Sequence, residues 1–329
     1  MLDKDIKTMY ALVVHSPGDA NVLRWEQRPV PIPNKGEVLI HVKAFGLNRS
    51  ELMTRKGYSP NVRFPRILGI ECVGEVVSDP SMVFKAGEKV AAFMKGMGRD
   101  YDGSYAEYVV LPHTVVTVFK SHLPWEILGA LPEMFQTAHG SLHHALHVHS
   151  GERILIRGGT SSVGLLAAQI AKRNGLYVIS TTRNPAKRSL LLESGSDEVW
   201  LDNGKLQGTT AESGPVDKVL ELVGTTTLKD SLRCVRQGGI VCMTDMLSEK
   251  WGFENFEPKE AIPASVYLTC YDSGQIRVGG KHFQEFLQQI EQGEITPMIK
   301  RTFKLKELPD AHRLMEENTG GGKIVIVTY

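Results

Sequence analysis

Between Tyr10 and about Leu111 the apolar positions fall in short runs: "ALVVHS", "EVLIHVKAFG", "GIECVGEVVS", "EKVAAFM" and "AEYVVLP". Pro29, Pro31, Pro33, Gly36, Gly87 and Gly103 punctuate them. Strand-length runs at this turn-bounded spacing predict a mainly β module, a barrel or sandwich, whose first strand begins near Met9 after a loose tail. From about Pro132 the period changes. "RILIRG" reads as a strand and "SVGLLAAQIAKRNG" as an amphipathic helix that stops at Gly175. "LYVIST", "NPAKRSLLLESG", "DEVWL", "VDKVLELVG", a helix through "TLKDSLRCVRQ" and the strand "GIVCMTD" continue the alternation. Strands alternating with helices in this way predict βαβ units and a parallel sheet. After about Tyr271 come a helix ("KHFQEFLQQIEQG"), a strand, a helix ("LPDAHRLMEEN") and a last strand, "KIVIVTY". That strand is expected to return to the first module.

A chain of 329 residues is long enough for about two domains. The change of period divides it into residues 1–133, completed by 271–329, and an inserted 134–270. Lys+Arg 38 against Asp+Glu 37 leaves a formal charge of +1, which provides no electrostatic footprint for nucleic acid or an anionic membrane. The four cysteines, Cys72, Cys234, Cys242 and Cys270, stand in no paired spacing and read as reduced thiols of a cytoplasmic protein. No apolar run reaches the ~18 residues of a spanning helix. The opening "MLDKDIKTMYALVV" has no signal-peptide core, so a soluble intracellular protein is expected.

The segment "RILIRGGTSSVGLL" joins the first strand of the alternating region to its first helix through glycine and hydroxyl residues. This is where a dinucleotide pyrophosphate binds, on backbone N–H groups and the positive end of a helix. Against the G-x-G-x-x-G pattern, Gly159-x-Ser161-x-x-Gly164 lacks the middle glycine. Serine is small enough for a phosphate to approach, and its hydroxyl is available to donate. A side chain at Gly164 is expected to block the cofactor while leaving the fold largely intact. About twenty residues on, an acid would hold the ribose 2′-hydroxyl of NADH. Here no Asp or Glu occurs from Ile179 to Arg188, while Arg183, Lys187 and Arg188 do. Cations there suit a 2′-phosphate, so NADPH is the expected cofactor, with one of the three charges assigned to an ordinary solvated helix face.

In order and spacing, "EVLIHVKAFGLNRSEL", "GIECVGEV", "GSYAEYVV", "LPEMFQTAHGSL", "RGGTSSVGLLAAQIAK" and "GGKIVI" resemble the zinc-free, zeta-crystallin-like quinone oxidoreductase branch of the medium-chain dehydrogenase/reductase superfamily. The resemblance covers nearly the whole chain. It implies a GroES-like catalytic domain built from both chain ends, an inserted Rossmann domain with a doubly wound parallel sheet, and an active site in the cleft. It also implies a homo-oligomer, here a homodimer. The cofactor site expected from these readings comprises Gly159, Ser161, Ser162, Val163, Gly164, Thr182, Arg183, Lys187, Val223, Met243 and Lys323. The family's functional positions map to Asn48 and Thr137, with Tyr58 as the candidate hydroxyl donor. Met53 stands where many relatives carry another tyrosine.

In zinc alcohol dehydrogenases of the superfamily a cysteine would stand at Asn48, a histidine at Ile70 and a cysteine or acid near Glu133. One carboxylate does not hold zinc against water, so no metal is expected. His139, His143 and His147 are spaced along one expected helix face, but the run is not H-E-x-x-H and lacks further ligands. Without a metal or an evident proton relay, the acceptor should already be electrophilic at carbon. A quinone is the first choice, and a C=C bond in an enone or alkenal the alternative. Met53, Phe135, Met246 and Phe256 are candidate pocket residues. A non-enzymatic NADPH-binding structural or RNA-binding protein is the remaining class, disfavoured by the neutral charge balance.

Overall fold

The computed structural model describes residues 7–250 and 252–329, and the expected N-terminal tail lies outside them. The chain forms two units. One holds the chain up to Glu133 with Gly279–Thr319 and Lys323–Tyr329; the other holds Met134–Val278 with Gly320–Gly322. The second unit thus runs past the expected limit at residue 270 and takes in three glycines from the C-terminal stretch.

The first unit opens with β1 (Thr8–Val14), β2 (Leu23–Pro29), β3 (Glu37–Gly46), the short α1 (Arg49–Arg55) and β4 (Arg66–Ile67). It continues with β5 (Glu71–Ser78), β6 (Lys89–Phe93), β7 (Tyr108–Pro112), β8 (Val116–Val118) and α2 (Trp125–Leu128). After α3 (Pro132–Gly140) the second unit alternates β9 (Arg153–Arg157), α4 (Ser162–Arg173), β10 (Tyr177–Thr182), α5 (Arg188–Glu193) and β11 (Glu198–Leu201). It goes on through α6 (Gln207–Ser213), β12 (Val216–Glu221), α7 (Thr225–Ser231), β13 (Val235–Met243), α8 (Pro258–Ala261) and β14 (Tyr267–Cys270). The chain then returns to the first unit as α9 (Gly280–Glu291), β15 (Ile299–Lys304), α10 (Leu308–Glu316) and β16 (Lys323–Val327).

In the first unit β2, β1 and β4 form a small sheet, and β15-β16-β3-β5-β6-β8 a larger one, with β7 also paired to β3. The last strand is antiparallel to β3, with Val325 opposite Gly46 and Val327 opposite Ala44, so the chain end closes on the first module. Alternate residues of these strands, Val38, Ile40, Val42, Val90, Ala92, Ile324 and Ile326 among them, face one buried core. The fold class read from the sequence, GroES-like plus Rossmann, is the one observed.

The second unit carries a six-stranded sheet, β11-β10-β9-β12-β13-β14, with every pair parallel. Strands buried on both faces read as continuous apolar runs, and "ILI" of β9 and "VLE" of β12 are wholly buried. The order reverses between β9 and β12, and ligands of such sheets bind at the carboxyl ends of those strands. Two local readings were off. The helix expected through Gln237 ends at Ser231, and β13 begins at Val235, because Gly238 turns the chain at φ +79° and a Cβ on Gly239 would meet Val235 Cβ at 2.7 Å. Strand β14 was not anticipated: "YLTC" is partly exposed at the sheet edge and has no apolar run to mark it.

Arg157 ends β9 and is fully buried. Its guanidinium donates to both oxygens of Asp202 at 2.8 and 2.9 Å, to Asp230 at 2.7 Å and to Ser231 Oγ at 3.0 Å. Burial works against the charge of Arg157 and Asp202 alike, but their mutual bonds override it, keeping Arg157 above and Asp202 below its ordinary range. Replacing one member of such a set strands the others without a counter-charge. Arg157→Leu should therefore lower stability by about 3–5 kcal/mol in urea unfolding. A loss below about 1 kcal/mol would mean that the carboxylates find water or each other instead.

Candidate cofactor and active site

The carboxyl end of β9 runs straight into the glycine loop. Gly158 makes the tight turn at φ +85°, so that task falls to it and not to Gly159. Gly159 lies against β10, where a Cβ would come within 2.9 Å of Ser180 Cβ. Ser161 caps α4: its hydroxyl accepts the Gly164 N–H at 3.1 Å and donates to Gly158 O at 2.9 Å. The serine hydroxyl expected to serve a phosphate is therefore engaged within the loop. The N–H groups of Ser162 and Val163 occupy the first two positions of α4, where a helix offers no acceptor. With the helix dipole they present donors suited to an anion. A Cβ on Gly164 would stand 2.8 Å from Gly158 O, Gly159 Cα and Gly159 O. A side chain there would push α4 off its own loop, so the expectation that the fold would survive it unchanged does not hold.

Thr182 ends β10, its hydroxyl closed on Asn184 by bonds of 3.1 and 3.2 Å. Arg183 follows it, exposed and without an ion pair among the described residues. Arg188 instead donates to Val199 O at 3.0 Å, which makes it the structural member of the three cations. The segment Gly320–Gly322, all at positive φ, reaches the glycine loop: Gly321 N–H donates to Thr160 O at 2.8 Å. A Cβ on Gly321 would be 3.4 Å from Lys187 Nζ, so this tract and Lys187 are neighbours. Glycine, without a side chain, allows a backbone to approach a turn this closely. At the end of β12, Glu221 Oε1 accepts the N–H of Val223 at 2.7 Å and of Gly224 at 3.0 Å, fixing the loop that carries Val223. Met243 ends the neighbouring β13, where its carbonyl accepts the Tyr271 N–H at 3.2 Å.

In the first unit Asn48 precedes α1. Besides a long local bond from Nδ2 to Gly46 O at 3.4 Å, its side chain reaches residues far along the chain. Nδ2 donates to Glu71 Oε1 at 2.7 Å and Oδ1 accepts from Lys323 Nζ at 2.6 Å. Lys323 is buried and also pairs with Glu71 at 2.9 Å, while Glu71 Oε2 accepts the Glu133 N–H at 2.8 Å. Lys323 thus stands with Asn48 in the first unit. Glu51, three residues into the motif, accepts the Asn48 N–H at 2.7 Å and the Ile70 N–H at 2.8 Å. Glu51, Glu71 and Glu221 were not singled out from the sequence. The N-x-x-E spacing of Asn48 and Glu51 matches a capping box and was the available signal for one of them. An acid inside the apolar run "GIECVGEV" was the signal for Glu71.

Thr137 lies on α3 in the second unit, partly buried. Tyr58 is 64% exposed in the loop after α1 and makes no hydrogen bond with the Asn48 group. Met53 and Phe135 are buried in cores, while Met246 and Phe256 are partly exposed. The histidine face breaks down. The His139 and His143 ring centroids lie 4.3 Å apart with the rings tilted by 45°, but the helix widens into a π turn over Ser141–Ala145 and His147 adopts φ +49° beyond it. Among the described residues no three His, Cys, Asp or Glu side chains are gathered closely enough to hold a metal. At the expected zinc positions stand the Asn48 amide, the buried aliphatic Ile70 and the single carboxylate of Glu133, a donor set that does not fit zinc.

The alcohol dehydrogenase GroES-like domain family matches residues 34–121 and the zinc-binding dehydrogenase family residues 194–326. A quinone oxidoreductase of Lama guanicoe is 26% identical over 98% of both chains. An acryloyl-coenzyme A reductase of Sulfurisphaera tokodaii is 25% identical over 97% of this chain and 99% of its own. The solved structure of a mycobacterial protein complexed with NADPH matches with a TM-score of 0.86 and 26% identity, over 97% of this chain and all of the other. Among the described residues no helix is long and apolar enough to cross a membrane. With a GroES-like module closed by its own C-terminal strand, a parallel sheet opened by a glycine loop, and relatives aligned from end to end, the chain is an oxidoreductase of the medium-chain dehydrogenase/reductase fold, similar along its length to quinone oxidoreductases.

Proposed function

We propose that the protein is an NADPH-dependent reductase that delivers hydride to a quinone without zinc. The observation that carries this reading is the Asn48–Lys323–Glu71 group. It puts an amide and an ammonium where a metal would need soft or anionic donors. An ordinary ketone or alcohol would lack an electrophile on its oxygen there. A quinone needs none, since hydride addition makes it aromatic.

Bound NADPH supplies the hydride. Ser162 and Val163 N–H groups are the pyrophosphate donors, Thr182 and Val223 flank the cofactor at strand ends, and Arg183 with Lys187 takes the 2′-phosphate. The matching structure that contains NADPH supports this choice. Asn48, fixed by Lys323 and Glu71, and Thr137 are the residues we assign to the nicotinamide and acceptor, and Met243 to the cofactor's nicotinamide end. Tyr58, exposed in the loop after α1, is assigned as the hydroxyl donor. The product oxygen takes its proton from water. A second reading, reduction of an activated C=C bond, is favoured by the relative named acryloyl-coenzyme A reductase. A homodimer formed through β14, where Tyr267 is 62% exposed at the sheet edge, completes the proposal.

The direct test is NADPH oxidation against a panel of quinones, enones, aldehydes and alcohols, with and without a chelator. Quinones should turn over fastest, alcohols not at all, and prolonged chelation should change nothing. Stoichiometric zinc that supports turnover would overturn the zinc-free reading, and faster turnover of enones would select the C=C alternative.

Cofactor choice rests on Arg183, whose guanidinium has no competing carboxylate among the described residues. A charge-assisted contact to phosphate contributes roughly 1.5–3 kcal/mol, about ten- to a hundredfold in affinity. Lys187 beside Gly321 can compensate in part, so Arg183→Ala should lower kcat/KM for NADPH by about tenfold at fixed ionic strength and leave NADH nearly unchanged. An equal loss with both cofactors would assign Arg183 to the fold or the pyrophosphate.

A further inference from the structure

Behind Asn48 runs a buried polar chain that hydride transfer does not itself require. At its outer end Glu316 on α10 accepts from Arg55 Nη2 at 2.5 Å. Arg55 Nη1 meets His312 Nδ1 at 3.3 Å. A guanidinium has only donors, so Nδ1 accepts and the proton of the neutral imidazole lies on Nε2. Nε2–H then donates to Tyr105 Oη at 2.9 Å, and the tyrosine O–H is left to donate to Glu51 Oε2 at 3.0 Å. The same oxygen takes the Asn48 N–H, and Oε1 takes the Ile70 N–H. Arg55, His312, Tyr105 and Glu51 are all buried.

From Arg55 Nη1 inward, every hydrogen in this chain is directed towards Glu51. The chain conducts no proton, because its far end is a guanidinium that does not give one up. It holds Glu51 as an acceptor instead. A proton on Glu51 would have to take the remaining Oε1 lone pair or displace one of three donors. The groups facing Glu51 are Glu71 on β5, Lys323 on β16, Tyr105 before β7, Arg55 on its own helix and His312 behind the tyrosine. Burial pushes Glu51 up to about 7, opposed by the Asn48 and Ile70 N–H groups, and Glu71 adds to the rise while Lys323 counters it. Burial and the Arg55 charge push His312 down to about 3, so it stays neutral while Glu51 titrates.

We infer that Glu51 is a positioning residue for Asn48: the Arg55–His312–Tyr105 chain holds its carboxylate on the Asn48 N–H, and protonation of Glu51 loosens Asn48. The catalytic consequence rests on the quinone-reductase reading; the positioning does not. The experiment follows the Asn48 amide by proton–nitrogen correlation spectroscopy in full-length protein, over roughly pH 5.5–8.5 to span the shifted carboxyl. In the wild type its proton resonance should move upfield as pH falls, with a midpoint near 7. Glu51→Gln should abolish that titration. Tyr105→Phe, which removes one donor to the carboxylate, should raise the midpoint by about one unit. His312→Asn, acting one step further back, should raise it less and serves if Tyr105→Phe does not fold. A flat Asn48 resonance, or a midpoint unmoved in the variants, overturns the inference; a purely structural chain would alter melting alone. With a quinone acceptor, kcat/KM should fall on the acid side at the same midpoint and shift with Tyr105→Phe. Absence of turnover with every acceptor would reject the function proposed above, while the amide titration would still decide the role of Glu51.

Discussion

A charge taken out of water has to be met by an opposite charge or a full set of hydrogen bonds, and each unit is arranged around that requirement. In the Rossmann unit one guanidinium, Arg157, satisfies Asp202 and Asp230 and, through Ser231, reaches Glu221. Arg157 ends β9 and Glu221 ends β12, the two strands that flank the reversal in strand order. The loops that follow them, the glycine loop and the Val223 turn, are therefore anchored by the same buried electrostatics. In the GroES-like unit the carboxylates are Glu51 and Glu71. Lys323 answers one, and backbone N–H groups with a tyrosine answer the other.

This arrangement bears on the chemistry open to the first unit. A zinc ion offers a vacant coordination position to an oxygen. An ammonium offers only hydrogen bonds, and two of those from Lys323 already go to Asn48 and Glu71. The polarising power available near Asn48 is that of a neutral amide held rigid by charged neighbours. Such a group can orient an acceptor but does little to activate an unreactive carbonyl, and the electrophilic substrate proposed above rests on that donor set.

The cofactor loop shows a second constraint, that of space. Gly159 is pressed against β10 and Gly164 against the loop itself, at distances that leave no room for a Cβ. The Gly320–Gly322 tract meets the same loop from the other end of the sequence. The glycines are thus largely packing residues, and what their packing leaves exposed to an anion is the first amides of α4.

Much of this was readable from the sequence because it is local. Alternation of short apolar runs, the switch to a βαβ rhythm, the glycine loop and the acid-free stretch around Arg183 each depend on residues a few positions apart. The sequence also marked Asn48 and the lack of zinc ligands around it. It did not show that Arg188 would be committed to Val199, that Ser161 would cap α4 with its hydroxyl, or that β14 would complete the sheet. Nor did it show the partners of Asn48. Lys323 lies 275 positions away, and the Tyr105–His312 contact spans 207. No periodicity encodes such pairs. They form only when the C-terminal strand closes on β3 and α10 joins the same unit, because a buried carboxylate binds whichever donors the tertiary fold brings within reach.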